Sequence, residues 1–110
     1  MGTGTTGSVP DVTRHGARRA RERTGVPKSA VGRMAANALE KGLPHEDTSG
    51  GLRRYLDWLY VKGDGGANNM RVYGDHIYLF NGKILITVFN VPPEYRKAAK
   101  HQQEKRRSGK

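Results

Sequence analysis

"NMRVYGDHIYLFNGKILITVFN", residues 69–90, decides the fold. Three runs rich in β-branched and aromatic residues are separated by Gly74-Asp75 and Asn81-Gly82, and Asn-Gly between apolar runs is the strongest short hairpin signal in a sequence. The spacing predicts a three-stranded antiparallel meander with Tyr73 opposite His76 and Phe80 opposite Lys83. Alternation then sorts the side chains. One face receives Met70, Val72, Ile77, Leu79, Ile84, Ile86 and Val88, all aliphatic or Met, as a sheet laid on helices requires. The other receives Asn69, Arg71, Tyr73, His76, Tyr78, Phe80, Lys83, Leu85, Thr87 and Phe89, a mixture of aromatics, cations and hydrogen-bonding groups.

Upstream the period changes from 2 to 3.6. Asp11 or Thr13 can cap a helix that runs to Thr24 and stops at Gly25, with Thr13, Ala17, Ala20 and Thr24 forming a narrow, small-residue face. Pro27 suits a first helical position, and Ala30, Val31, Met34, Ala35, Ala38 and Leu39 trace a second helical stripe closed by Gly42. Leu52, Tyr55, Leu56 and Leu59 mark a third helix over 51–61, with Trp58 and Tyr60 off its stripe. The expected architecture is α+β, with two to three N-terminal helices packed on a C-terminal antiparallel sheet of three to four strands. Residues 1–10 read as a disordered arm, 11–93 as the domain and 94–110 as a basic tail, largely disordered when free and able to form a helical extension when bound, with seven Lys and Arg against two Glu.

Charge bounds the partners. Twenty Lys and Arg against ten Asp and Glu give +10 over 110 residues, a field that attracts polyanions. Nucleic acid is the first candidate and an anionic membrane the weaker one, since no apolar run spans a bilayer and the Arg-rich segment offers an interface little beyond alanine. The absence of cysteine excludes disulfides, thiolate catalysis and cysteine-ligated zinc. Asp47, Asp57, Asp64 and Asp75 are too scattered to serve as hard-cation ligands, so no metal or other cofactor is expected. "MGTGTTGSVP", residues 1–10, has neither the charged nor the apolar region of a secretory signal, which makes cytoplasm the expected compartment.

A sheet face carrying Tyr, Phe, Arg, Lys and His suits single-stranded nucleic acid, because bases stack on rings while cations neutralise phosphate. The competing reading covers those aromatics with the third helix or with Trp58 and makes a second small core. On the first reading Arg14, Arg18 and Arg21 of the first helix, Tyr73, Tyr78, Phe80 and Lys83 of the sheet, and Arg96 and Lys97 of the tail contact RNA. Metal-free RNA cleavage needs a base for the 2′ hydroxyl, an acid for the leaving oxygen and donors for the charge on phosphorus oxygens. His15, His76, Arg19, Arg23, Arg71 and Thr87 can fill these roles, although His15 is equally suited to capping or packing at a helix start. His45 and His101 receive no catalytic role.

"TRHGARRARERTGV", residues 13–26, sets His15, Arg19, Glu22 and Arg23 at spacings 0, +4, +7 and +8. It resembles the opening helix of small toxin-like domains that begin Ser/Thr-x-His-Ala and continue Arg-x-x-Glu-Arg, within the barnase, EndoU, colicin and RelE superfamily of metal-independent RNases. "KILITVFNVP", residues 83–92, is similar to their last strand, with Thr87 in an Ile-Thr-Val run. Gly16 departs from the family's Ala, and the third helix and basic tail are extra. The resemblance implies an RNase-like fold that binds RNA, and the expected activity is metal-free cleavage through the 2′ hydroxyl, as in a toxin of a bacterium, phage or other mobile element. It also implies His15, Arg19, Arg23, Arg71 and Thr87 as the candidate residues and an acidic antitoxin or inhibitor as a second partner. Two alternatives stand beside it: a noncatalytic RNA- or ribosome-binding protein on the same fold, and a basic protein that docks onto an acidic partner protein.

Overall fold

The structure, a computed structural model, describes residues 14–25, 27–62 and 67–109, with side chains for 17–25, 27, 29–62 and 67–106. In chain order the elements are α1 (Arg14–Thr24), α2 (Lys28–Lys41), β1 (Leu43–Pro44), a 3-10 turn (His45–Asp47), α3 (Gly50–Lys62), β2 (Asn69–Tyr73), β3 (His76–Asn81), β4 (Ile84–Asn90) and α4 (Pro93–Gly109). The strands form one antiparallel sheet in the order β1-β2-β3-β4, so the chain is an α+β fold with helices before and after a meander. β1 adds an edge strand that Leu43 and Pro44 did not signal, pairing Leu43 with Val72 and Pro44 with Arg71. Among the described residues no helix is long and apolar enough to cross a membrane.

The meander explains what the sequence pattern captured and what it missed. Between β2 and β3, Tyr73 pairs with His76 as the turn chemistry requires, and Gly74 holds φ +64. Between β3 and β4 the turn is Gly82-Lys83, one residue later than expected: Asn81 pairs with Ile84, and Phe80 with Leu85 rather than Lys83. In both turns a glycine with positive φ takes the first central position while the second central residue is a non-glycine at negative φ, the II′ arrangement that follows strand twist. Asn68 fixes the second turn by accepting the Gly82 N–H at 2.9 Å.

A β-bulge then intervenes. Phe80 faces Leu85 but Leu79 faces Thr87, leaving Ile86 as the extra residue of β4. Every residue beyond it changes face. Thr87 and Phe89 join Leu79 and Ile77, whereas Val88 joins Tyr78, reversing the expected placement of Thr87, Val88 and Phe89. Ile86 is only half-buried, while Leu85, expected on an open face, is fully enclosed.

Both faces of the sheet carry a core. Leu43, Met70, Val72, Ile77 and Leu79 pack with Leu52, Leu56 and Leu59 of α3, Ala99 of α4 and Val91. Tyr78, Phe80, Leu85 and Val88 pack with Ala20 of α1 and Val31, Ala35 and Ala38 of α2. Each leucine enclosed in this way contributes roughly 2 kcal/mol of apolar burial. The small-residue face of α1 is therefore what lets a helix lie close on β4, and Thr24 closes its last turn by donating to the Ala20 carbonyl at 2.6 Å. Pro27 precedes α2 as its cap, outside the helix, with the Ala30 N–H reaching its carbonyl at 2.9 Å.

The segment expected to be a disordered tail is α4, and it belongs to the core. Tyr95, Ala98 and Ala99 lie at i, i+3 and i+4 and turn toward the α3 side of the sheet, with Ala99 fully buried. Gln102 bonds both backbone groups of Ser49, and Gln103 both those of Gly74, so two amides fasten the helix to the loop before α3 and the β2–β3 turn.

Candidate nucleic-acid interface

The described part of α1 divides its arginines by use. Arg18 and Arg21 are exposed, and Arg19 lies 3.7 Å from Glu22. Arg23 turns inward, donating to the Val88 carbonyl at 2.8 Å with its guanidinium 4.5 Å from the centre of the Phe89 ring. It satisfies an edge-strand carbonyl that no further strand can reach. Arg14 and His15 begin the helix, but their side chains lie outside the described residues.

On the sheet the candidates separate. Arg71 donates to the Leu39 carbonyl at 3.2 Å and to Asn69 at 3.1 Å, so its charge meets the C-terminal end of α2, where helix carbonyls lack partners. Thr87 is 1% exposed and pairs with Leu79, on the face opposite the one that Arg71 shares with Tyr78. His76 is half-buried; desolvation holds its pKa below the usual imidazole value, Asp75 opposes that shift and Arg96 adds to it. Arg96 itself donates to the Val91 carbonyl at 3.2 Å. The catalytic candidates with described side chains are thus dispersed over both faces and the edge of the sheet, and Arg23, Arg71 and Thr87 are held in structural contacts.

The expected base-stacking face is closed. Tyr78 and Phe80 are 1% and 0% exposed under α1 and α2, their rings 6.4 Å apart, and neither can meet a base. Their assignment to RNA contact is corrected accordingly: an aromatic strand face covered by alanine helices is core. Tyr73 is half-buried at the margin of the same cluster. The Tyr78 hydroxyl has no hydrogen-bond partner among the described residues, and burial pushes its pKa up to about 12, with Tyr73 acting in the same direction. Lys83 and Lys97 are exposed as expected.

Open aromatic surface exists elsewhere, on α3. Trp58 is 54% exposed and Val61 81%. Tyr55 stacks on Trp58 at 5.8 Å and lies 5.6 Å from Tyr95, while the Lys62 ammonium sits 5.9 Å from the Trp58 ring centre. Burial raises the Tyr55 pKa, Glu94 and Tyr95 raise it further, and Arg23 opposes the shift. The sequence placed Trp58 off the apolar stripe of its helix but did not separate an exposed ring from one that covers the sheet. Around the helix from it, Asp57 accepts from Arg53 at 3.3 Å and meets His45 Nε2 at 2.6 Å. Those contacts, the His45 bond foremost, hold its carboxyl below the usual range.

Comparison of the chain with protein-family models, with curated proteins and with solved structures finds no match.

Proposed function

We propose that this protein binds RNA without cutting it. The observation that carries the reading is an excess of solvent-facing cations without intramolecular counterions. Arg18, Arg21, Arg54, Lys97, Lys100 and Lys105 are exposed and form no ion pair among the described residues, and the four pairs present there engage Asp47, Asp57 and Glu22. Charge of one sign left uncompensated opposes folding by self-repulsion, and a phosphate chain relieves that repulsion by releasing its own counterions to solution. Binding takes precedence over metal-independent cleavage because Arg23, Arg71 and Thr87, three of the residues expected to serve a phosphate, are occupied by backbone carbonyls or enclosed.

The test is titration of labelled single-stranded RNA at several salt concentrations in EDTA, followed by mapping of its ends. Intact RNA bound with a log–log salt slope of about −0.7 per phosphate contact is the expected result. Defined new ends would restore the endoribonuclease reading, and the absence of any salt-dependent binding would remove RNA as the partner.

A further inference from the structure

We infer that the outer face of α3, centred on Trp58, is a stacking platform for the bases of single-stranded RNA; this rests on the RNA-binding reading and gives it a site. α3 buries Leu52, Leu56 and Leu59 and therefore needs nothing from its opposite side for stability. That side nevertheless presents an indole, 54% exposed, with Arg54 and Lys62 one turn before and one turn after it. Bases of every identity offer a π face, and an aromatic ring between cations meets base and phosphate together. The Lys62 ammonium, 5.9 Å from the ring centre, holds the face of the indole in the free protein and lies within reach of a phosphate flanking a stacked base.

The surroundings favour a nucleic acid over a second protein surface. The one acid of α3, Asp57, is tied to His45 and Arg53 and does not neutralise the strip. A second copy of the chain would bring +10 against +10. From Trp58 the rings continue through Tyr55, at 5.8 Å, to Tyr95, 5.6 Å further. A strand following this run would pass from the Lys62 end of α3 along the rings toward Tyr95 at the start of α4.

Trp58 is the chain's one tryptophan, so its emission reports this site alone. Oligo(U) of about a dozen nucleotides should quench that emission in step with binding measured by anisotropy of the labelled strand. Trp58→Ala should weaken oligo(U) binding about fivefold or more, and Trp58→Phe, which keeps a ring, should recover most of the loss. Heparin, a polyanion without bases, should bind the wild type and both variants alike. Wild-type binding of oligo(U) with unchanged emission, or with undiminished affinity in Trp58→Ala, would overturn the platform while leaving RNA binding in place. Failure of the wild type to bind oligo(U) at low salt would overturn both. Dimerisation of the wild type that Trp58→Ala abolishes, with oligo(U) affinity unchanged, would reassign the strip to a protein contact.

Discussion

The two faces of the sheet are closed by opposite solutions to one packing problem. Toward α3 and α4, strand residues of middle size, Met70, Val72, Ile77 and Leu79, meet the leucines of α3. Toward α1 and α2, the rings of Tyr78 and Phe80 meet Ala20, Ala35 and Ala38. Large against small and middle against middle both fill space to interior density, but only the second announces itself as a core in the sequence. Rings beside Arg71 and His76 look like a binding face until the alanines of α1 and α2 are recognised as the surface that covers them. Arg71 is compatible with that cover because its guanidinium escapes sideways to the Leu39 carbonyl.

The strongest way to break this comparison is to charge each side of the bulge. Leu85→Asp places an unpaired carboxylate in the α1/α2 core and should cost roughly 4 kcal/mol, a large part of the roughly 5–15 kcal/mol that holds a domain of this size. Ile86→Asp, one residue along and half-buried, should cost less than half of that in a urea titration. Equal losses from the two would mean that the bulge is misplaced and that β4 alternates without interruption.

Next in size is the contribution of α4. Ala99→Asp should destabilise the protein by roughly 3 kcal/mol, because Ala99 is fully enclosed between the helix and the sheet. A variant whose urea midpoint matches the wild type would show that α4 is an appendage and that the α3 face is closed by α3 alone.

These two experiments mark where the sequence stopped being legible. The Tyr73–His76 register was readable because a two-residue turn admits few pairings, and the alanine stripe of α1 because its spacing has no other use. The bulge was not: "LITV", residues 85–88, contains no glycine or turn residue, and an extra β-branched residue leaves no mark on alternation until its partners are known. α4 was missed because cations dominate its composition, although Tyr95, Ala98 and Ala99 hold a helical spacing that needs only three small contacts to dock. Of the candidate site, the exposure of Arg18, Arg21, Lys83 and Lys97 followed from residue type, whereas that of Trp58 was not legible, because a ring off the stripe of its helix serves equally well to cover the aromatic strand face. The engagement of Arg23 and Arg71 by backbone carbonyls depends on where chain ends meet in space, which one sequence does not state.

A smaller effect separates the two kinds of arginine on α1. Arg23→Ala removes a charge-assisted bond to the Val88 carbonyl and the contact with the Phe89 ring, and should cost about 1.5 kcal/mol of stability. Arg18→Ala should stay within about 0.5 kcal/mol of the wild type yet reduce the salt slope of RNA binding by about 0.7, the share of one phosphate. If Arg23→Ala leaves the thermal midpoint unchanged while flattening the salt slope, its inward bond is not maintained in solution and the arginine serves RNA after all.

The smallest expected effect tests the aromatic face from within. The Tyr78 hydroxyl is buried without a partner among the described residues, so Tyr78→Phe removes a desolvated polar group and leaves the ring's packing against Phe80, Ala35 and Val88 intact. The variant should be as stable as the wild type or more so by about 1 kcal/mol near neutral pH. The sign of the alkaline response follows from the raised pKa. The folded state keeps the phenol protonated up to about 12 while the unfolded chain releases the proton near 10.0, so stability is whole below pH 10 and falls as pH rises toward 12. Tyr78→Phe should flatten that alkaline limb, and an unfolding series between pH 9 and 12 on both proteins measures the difference. A Tyr78→Phe protein less stable than the wild type at neutral pH would show that the hydroxyl is bonded to buried water, and that the alanine-covered face is less completely filled than the leucine-covered one.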